Sequence, residues 1–509
     1  MPAIRASLVR KGLSMGLSID RETFSQADYE LFAARLDQSL VVLRDLLNRP
    51  GFGDGPTTLG AEMELSIVDR KGNAYPINRS VLAGNLDPSF QLELDRFNLE
   101  YNTSPVALAG TPFSRMESEL TQALETLNRL ADARGGRIVP IGILPTLMEE
   151  DLQPAALTDL PRYRALSTAL RELRDMPFQV RINGLDPLDV TSDDVTLEGA
   201  NTSFQVHLRV RPSDFASLYN AAQLVSPIAV AVSANSPLFL GHRLWDETRV
   251  ALFKQSVDSR PPREGDWHLP GRVSYGLGWV RQGAYELFAE AVGLFPPLLP
   301  VSSAQPPLEQ HQQGALPSLD ELRLHQGTVW RWNRPVYDPK HGGHLRIEFR
   351  SLPSGPTPLD MVANTAFLVG MVHGLSSQMD DLIPSFPFEY AHHNFYRGAQ
   401  FGLDAVLLWP STEYPSPRER PVCDLALEML PIAERGLSQL GVESEERERV
   451  VEVIRTRIER RCTGARWQRR TLAYLEKHAP RRQAVVALLD QYLEQAARGC
   501  PVGEWTVPD

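Results

Sequence analysis

Acidic side chains recur at every second position of a short segment whose other positions are apolar. Residues 61–67 read Ala-Glu-Met-Glu-Leu-Ser-Ile. In a β-strand, residues two apart point to the same face and lie about 7 Å apart. Glu62 and Glu64 are therefore predicted to share the polar face of a half-buried strand.

Two later segments have the same alternation with a similar choice of polar residues. Residues 204–210 place Gln205, His207 and Arg209 on one face, and residues 345–350 place Arg346, Glu348 and Arg350 on one face. Both segments are predicted to be strands of the same kind.

The segment from Phe90 to Asn102 has a polar face in two registers. Glu93 belongs to one register, whereas Asn98 and Glu100 belong to the other. A strand whose register slips in this way usually contains a bulge. We therefore predict a bulge or kink near residues 95–96.

Any one of these strands alone is equally well explained as a sheet face in water, since half-buried antiparallel strands alternate in this way. Together, however, the polar faces of the four segments supply five glutamates and three arginines but no lysine. If the faces converge, the carboxylates repel one another and need cations, and hard oxygen ligands favour Mg²⁺ or Mn²⁺ over zinc. Arginines beside such a cluster favour a polyphosphate.

This combination of carboxylates, divalent cations and arginines is typical of phosphoryl transfer, in which positioning and charge neutralisation account for most of the catalysis. The sequence contains no Walker-type phosphate loop, no GxGxxG fingerprint, no GxSxG elbow and no HExxH helix. A nucleotide site would therefore have to be built on the sheet.

The composition excludes several other classes of protein. The formal net charge of -11 over 509 residues argues against a nucleic-acid-binding protein. Three cysteines in so long a chain favour a reduced, cytoplasmic protein over a disulfide framework. The most apolar stretch, Val225–Leu240, is interrupted by Pro227 and Pro237 and is too short to cross a membrane.

Strand and helix patterns are interspersed without a regular βαβ repeat, which predicts an α+β fold with a mostly antiparallel sheet. Apolar residues at helical spacing predict the following helices: around 28–48, after 111–112, and around 214–224, 284–292, 359–375, 444–461 and 480–498. We predict a catalytic domain over 1–415, including an N-terminal helical segment (1–58), and a helical C-terminal appendage over 416–509. Residues 260–278 and 294–317 are rich in proline or glycine and are candidate binding loops.

The sequence resembles the glutamate–cysteine ligase superfamily, including its carboxylate–amine ligase branch. The resemblance covers residues from about 59 to 405 and rests on several short motifs that occur in order. These are Gly60-x-Glu62-x-Glu64, Glu93, Leu99-Glu100-x-x-Thr103-x-Pro105, Thr202-Ser203-x-Gln205-Val206-His207, Ala234-Asn235-Ser236-Pro237 with Arg249, Ile347-Glu348-x-Arg350, and Asn394 through Leu403.

The resemblance implies a curved antiparallel sheet with helices on its outer side, related to glutamine synthetase, which forms a funnel for ATP and its divalent ions. It also implies a role for each matching residue. Metal ligands would be Glu62, Glu64, Glu93, Glu100, Gln205 and Glu348; nucleotide-binding residues would be Gln205, His207, Arg334 and Arg350; catalytic residues would be Glu348, Arg350 and Arg249.

The sequence departs from the family on the substrate side. Gln400 stands where related ligases often have arginine, and Arg397 could replace it from the same loop. Residues 330–335 have no counterpart in the best-understood ligases, so Arg334 either lines the pocket or belongs to an aromatic loop that packs on the core.

The implied reaction joins the carboxylate of an amino acid to an amine through an acyl phosphate, with ATP and Mg²⁺ (or Mn²⁺), as in glutathione biosynthesis. The partners would be small molecules, with no nucleic acid and no membrane, and a homo-oligomer stays open. Two alternatives remain: a phosphotransferase of the guanidino-kinase type on a related fold, and a non-catalytic nucleotide-binding relic.

Overall fold

The computed structural model describes residue 17 and residues 19–260, 269–411 and 416–506. Its strands are β1 (Thr58–Asp69), β2 (Phe90–Leu92), β3 (Asn98–Asn102), β4 (Val106–Ala107), β5 (Gly136–Val139), β6 (Phe178–Ile182), β7 (Leu188–Ser192), β8 (Phe204–Val210), β9 (Leu238–Phe239), β10 (His242–Arg243), β11 (Asn333–Asp338), β12 (His344–Phe349), β13 (Val406–Trp409) and β14 (Arg418–Pro421).

The α-helices, between which short 3₁₀ turns occur, are α1 (Gln26–Leu47), α2 (Asn78–Leu82), α3 (Pro112–Asp132), α4 (Pro161–Arg174), α5 (Thr196–Gly199), α6 (Phe215–Ser233), α7 (Arg249–Ser256), α8 (Ala284–Leu294), α9 (Pro307–Gln312), α10 (Asp320–Gln326), α11 (Pro358–Ser376), α12 (Met379–Leu382), α13 (Phe388–Phe401), α14 (Val422–Gln439), α15 (Ser444–Glu459), α16 (Gly464–Leu475) and α17 (Arg481–Ala497). The seven helices predicted from apolar spacing are all present, at α1, α3, α6, α8, α11, α15 and α17.

One antiparallel sheet dominates the fold, as predicted. Its strands lie in the order β11-β12-β8-β1-β3-β2, and β4 and β5 also pair with β1. Every pairing with β1 is antiparallel, and β8 and β3 lie on its opposite edges. The four segments with a polar face thus become neighbouring strands of a single sheet.

The alternation along β1 separates a buried face from a polar face. Ala61, Met63 and Leu65 are at most 3% exposed, whereas Glu62 and Glu64 between them are only partly covered. The apolar side chains belong to one large cluster with residues of α3, α6 and α11. Because burying apolar surface drives folding, these helices cover one face of the sheet and leave the carboxylates on the other.

The predicted bulge in residues 90–102 is wrong. The segment forms two strands, β2 and β3, which pair antiparallel through Phe90↔Tyr101 and Leu92↔Leu99. The chain reverses between them, and the Asn98 amide donates to the Asp95 carbonyl at 2.9 Å. The slip of register therefore marks a tight turn and not an extra residue in one strand.

Pro227 does not interrupt the apolar stretch as predicted, because α6 continues through it to Ser233. A proline cannot donate to the carbonyl four residues earlier. That carbonyl belongs to Gln223 and instead accepts a hydrogen bond from the Tyr275 hydroxyl. The helices α6 and α11 are long and apolar enough to cross a membrane. Both are mostly buried within the described part of the fold, however, and buried core helices also meet these criteria of length and hydropathy.

The candidate loop at 294–317 contains more structure than its composition predicted. Residues 294–317 include α9, and the part of 260–278 from 261 to 268 lies outside the described residues.

The C-terminal helices pack closely on the rest of the chain. Residues of α14 and α15 belong to the same apolar cluster as β1. Arg457 on α15 pairs with Asp360 on α11 at 2.8 Å, and both side chains are at most 1% exposed. The division at residues 415/416 stays a prediction, and residues 412–415 lie outside the described ranges.

We expect Asp360→Asn to lower the free energy of unfolding by about 3–5 kcal/mol, because it leaves the buried Arg457 guanidinium without a counter-charge. Chemical denaturation of the full chain measures this change. Glu428→Gln removes the partly exposed Arg420–Glu428 pair and is the matched control, with an expected loss below about 1 kcal/mol. Equal effects of the two substitutions would contradict the structural role of the buried pair.

Candidate active site

A cavity of about 310 Å³ lies over the polar face of the large sheet. Its wall includes four of the predicted carboxylates, Gln205 and two arginines. They are Glu62, Glu64, Glu93, Glu100, Gln205, Arg334 and Arg350. The structure therefore brings side chains from six strands or strand ends into one space.

Strand register accounts for this convergence. Glu62 lies opposite Gln205 on β8, and Glu64 lies opposite Glu100 on β3. Glu348 lies opposite His207 on β8. Directly paired residues of neighbouring strands project to the same side, so these groups share one face.

Glu348 is the best-compensated carboxylate of the site. Arg334 donates to it twice, from Nε at 3.1 Å and from Nη2 at 2.7 Å. Arg350 donates from Nη1 at 2.8 Å, and His207 Nδ1 lies 3.9 Å away. Burial opposes ionisation of Glu348, but Arg334, Arg350 and His207 together hold its pKa below the ordinary value.

Glu62 is also held in the ionised form. Its Oε1 lies 3.0 Å from His207 Nε2. Burial would raise the pKa of Glu62, yet His207 and Arg350 together outweigh burial and lower it. His207 on β8 thus lies between Glu62 on β1 and Glu348 on β12 and interacts with both carboxylates.

The remaining carboxylates carry negative charge that the protein does not neutralise. Glu64 accepts from the Gln205 amide and from the Ser203 backbone, both at 2.6 Å, yet burial and the nearby Glu93 raise its pKa to about 7. Burial and three neighbouring glutamates raise the pKa of Glu100 well above its ordinary value. These carboxylates hold protons near neutral pH because burial and the neighbouring glutamates outweigh the attraction of Arg350 for Glu64.

A divalent cation fits this chemistry. Carboxylate oxygens are the ligands that Mg²⁺ prefers, and an ion would supply the missing positive charge at Glu64 and Glu100. Among the described residues, however, no three acidic, histidine or cysteine side chains already form a cage for an ion. One oxygen of Glu64 accepts from the Gln205 amide and one oxygen of Glu100 accepts from the Asn102 amide, so each carboxylate keeps lone pairs that an ion can use.

Two predicted arginines lie away from the cavity. Arg249 is 2% exposed, pairs with Glu247 at 2.6 Å and donates to the Ser351 carbonyl at 2.8 Å. Arg397 donates to the Val406 carbonyl at 2.9 Å. It lies on α13, so the expected loop is wrong. Neither side chain lines the space where the carboxylates meet. The catalytic role of Arg249 stays a prediction.

The structure adds residues that the sequence patterns missed. Arg162 and Tyr163 on α4, Glu198 on α5, and Gln326, the last residue of α10, all line the cavity. They lie on helices or helix ends, where no alternation with period two marks them. Residues 330–335, which do not alternate, were distinguished by having no counterpart in the best-understood ligases. One of the two interpretations of this segment was that Arg334 lines the pocket, and Arg334 does lie in the cavity wall.

Glu198 extends the group of uncompensated carboxylates. It lies on a four-residue helix, and burial together with Glu93 and Glu64 raises its pKa to about 8. Behind it, Asp95 is fully buried and neither of its carboxyl oxygens has a partner among the described residues. Protonation of Asp95, whose pKa burial raises well above the ordinary value, makes this position tolerable.

Comparisons with known proteins identify a family and a fold that this chain shares. A model of glutamate–cysteine ligase family 2 matches residues 58–488. A candidate glutamate–cysteine ligase 2-2 of Mycolicibacterium vanbaalenii is 25% identical over 216 residues, which cover 41% of this chain and 50% of the relative, so this match spans about half of the relative's length. A candidate glutamate–cysteine ligase 2-1 of Frankia casuarinae is 24% identical over 468 residues, which cover 89% of this chain and 98% of the relative.

A solved structure is similar over nearly its whole length. The glutamate–cysteine ligase of Francisella tularensis, determined in complex with AMP, aligns with a TM-score of 0.52 at 12% identity and covers 90% of this chain and 91% of its own. At that identity the likeness shows a shared fold. The sheet with helices on one face, predicted from sequence, is thereby confirmed.

The raised pKa values of Glu64 and Glu198 make stability depend on pH and on divalent ions. Between the ordinary glutamate pKa of 4.5 and the folded values of about 7 and 8, the folded chain binds more protons than the unfolded chain. The free energy of unfolding therefore falls as pH rises through this window. We expect MgCl₂ to raise the melting temperature more at pH 8 than at pH 6, where protons compete with the ion.

Scanning calorimetry at the two pH values, with and without MgCl₂, measures this difference. In Glu64→Gln the difference between the two pH values should shrink, because one titrating group has been removed. An identical Mg²⁺ shift at both pH values in the unsubstituted chain would contradict the charge assignment.

Proposed function

The chain belongs to glutamate–cysteine ligase family 2, and from this membership we propose that it is an ATP- and Mg²⁺-dependent carboxylate–amine ligase of the glutamate–cysteine ligase type. One observation carries the proposal. Five strands or strand ends of one sheet direct carboxylates and two arginines into a single cavity, and Glu62 and Glu64 share one face of β1.

The proposed reaction has two steps. The donor carboxylate attacks the γ-phosphorus of ATP, the bond to the bridging oxygen breaks, and ADP leaves with its electron pair. The acceptor amine then attacks the acyl carbon of the acyl phosphate, inorganic phosphate leaves, and the amine nitrogen loses a proton. The product is an amide, and no protein nucleophile is required.

Arg334 and Arg350 are placed to act on the phosphates. Both line the cavity, and the buried Glu348 holds the two guanidinium groups from below. A guanidinium group presents several donors in a fixed plane, which suits phosphate oxygens. Because Glu348 accepts two hydrogen bonds from Arg334 and one from Arg350, the arginines need little reorganisation when charge develops on the transferred group.

The acidic wall would hold the divalent ions. Glu62, Glu64, Glu93 and Glu100 supply the oxygen donors, and Gln205 adds an amide beside them. Bound Mg²⁺ would neutralise the phosphates and the carboxylates at the same time.

Substrate identity is tested by a panel assay. ATP-dependent phosphate release is measured with glutamate and other amino-acid donors, each paired with cysteine and other amines. We expect release to require both a donor and an amine, with one amide formed per phosphate. A stable phosphorylated acceptor without an amide would instead identify a phosphotransferase, and absence of Mg²⁺–ATP binding would identify a non-catalytic relic.

Glu348→Gln should reduce turnover by at least about a hundredfold, because two arginines lose the charge that orients them. The melting temperature and the far-ultraviolet spectrum should show a folded protein. Glu419→Gln, on the exposed strand β14, is the control and should retain full activity. Turnover by Glu348→Gln within threefold of the unsubstituted protein would remove this carboxylate from the mechanism.

A further inference from the structure

The two ends of the active-site cavity differ in charge. The sheet ends at β2 on one side and at β11 on the other, and the cavity wall includes residues near both edges. Near β2 the wall contains Glu93 and Glu198, with Arg162 nearby, and burial together with Glu93 raises the pKa of Glu198 to about 8. That end suits charged groups such as an ammonium ion or a metal.

At the β11 end the charged groups are paired and apolar side chains dominate. Arg334 is neutralised by Glu348 at 2.7 Å, and Arg323 lies 3.3 Å from Asp320. The wall at this end also contains Phe288 on α8, which packs against α10 and β11, Trp330, which precedes β11, and Val336 on β11. This end therefore suits an uncharged group of low polarity.

Gln326 is the polar exception at this end. Its side chain is 4% exposed and lies in the cavity wall. Neither the amide nitrogen nor the amide oxygen has a hydrogen-bond partner among the described residues. Leaving both atoms of a buried amide without partners costs free energy, so the group is poised to gain from a ligand that offers one donor and one acceptor.

We propose that Gln326 recognises the adenine base of ATP, in a base subsite formed with Trp330 and Phe288 at the β11 end of the cavity. This inference rests on the proposed function. Adenine presents an amino donor next to a ring-nitrogen acceptor, which is the pair that a glutamine amide reads. The triphosphate then extends from this subsite past Arg334 and Arg350 toward the acidic wall, and the amino-acid substrates occupy the β2 end.

Calorimetric titration of the full chain in MgCl₂ tests the assignment with three probes: ATP, purine riboside 5′-triphosphate, which lacks the 6-amino group, and tripolyphosphate. We expect the unsubstituted chain to bind ATP about tenfold more tightly than purine riboside triphosphate. Gln326→Leu should abolish this difference by weakening ATP about tenfold, while tripolyphosphate affinity stays within threefold.

The melting temperature distinguishes a role of Gln326 in base recognition from a purely structural role. Because leucine replaces an unpartnered buried amide, the melting temperature of Gln326→Leu without nucleotide should be equal to or higher than that of the unsubstituted chain. Gln313→Leu, at an exposed position after α9, is the matched control and should alter neither affinity nor melting temperature.

Three results would overturn the assignment. These are equal binding of ATP and purine riboside triphosphate by the unsubstituted chain, an unchanged preference for ATP in Gln326→Leu, and an equal loss of ATP and tripolyphosphate affinity in that variant. Each leaves the ligase proposal standing, since the triphosphate still binds. If none of the three probes binds, the ligase proposal and the base subsite fall together.

Discussion

Several carboxylates lie together on one face of a β-sheet, and the rest of the structure must accommodate their negative charge. A half-buried sheet face normally carries polar residues that water can solvate, but here carboxylates from β1, β3 and the end of β2 face one cavity, with Glu348 of β12 buried beneath it. Isolated buried carboxylates are costly, so each must be paired, protonated or bound to a cation. All three conditions have a place in this site.

Paired carboxylates and carboxylates with raised pKa values lie on different sides of the cavity. Toward β12, Glu348 is compensated by two arginines and a histidine and remains ionised. Toward β3 and α5, Glu64, Glu100 and Glu198 lack such partners, and their pKa values rise. Fixed positive charge therefore lies on one side of the site, and room for mobile positive charge lies on the other. A triphosphate with its ions needs both.

The sequence predicted most of the fold and the centre of the site for a simple reason. Alternation with period two reveals which strand residues share a face, and spacing near 3.6 reveals amphipathic helices. It failed at Pro227, because a distant tyrosine hydroxyl supplies the hydrogen bond that the proline cannot make, and at residues 93–97, where a slip of register marked a turn. It also failed for Glu198 and Gln326, since side chains on short helices and helix ends carry no periodic signature and enter the cavity only through tertiary packing.

The order of strands in the large sheet also governs how the chain can assemble. The central strand β1 ends at residue 69, yet its neighbour β8 begins at residue 204, and the next strand, β12, begins at residue 344. Pairings between such distant segments form slowly, because closing a long loop costs entropy before the strand contacts can stabilise the structure. A ribosome must therefore release about two-thirds of the 509 residues before the sheet is complete, and until then an edge strand, first β1 and later β8, remains unpaired and open to aggregation.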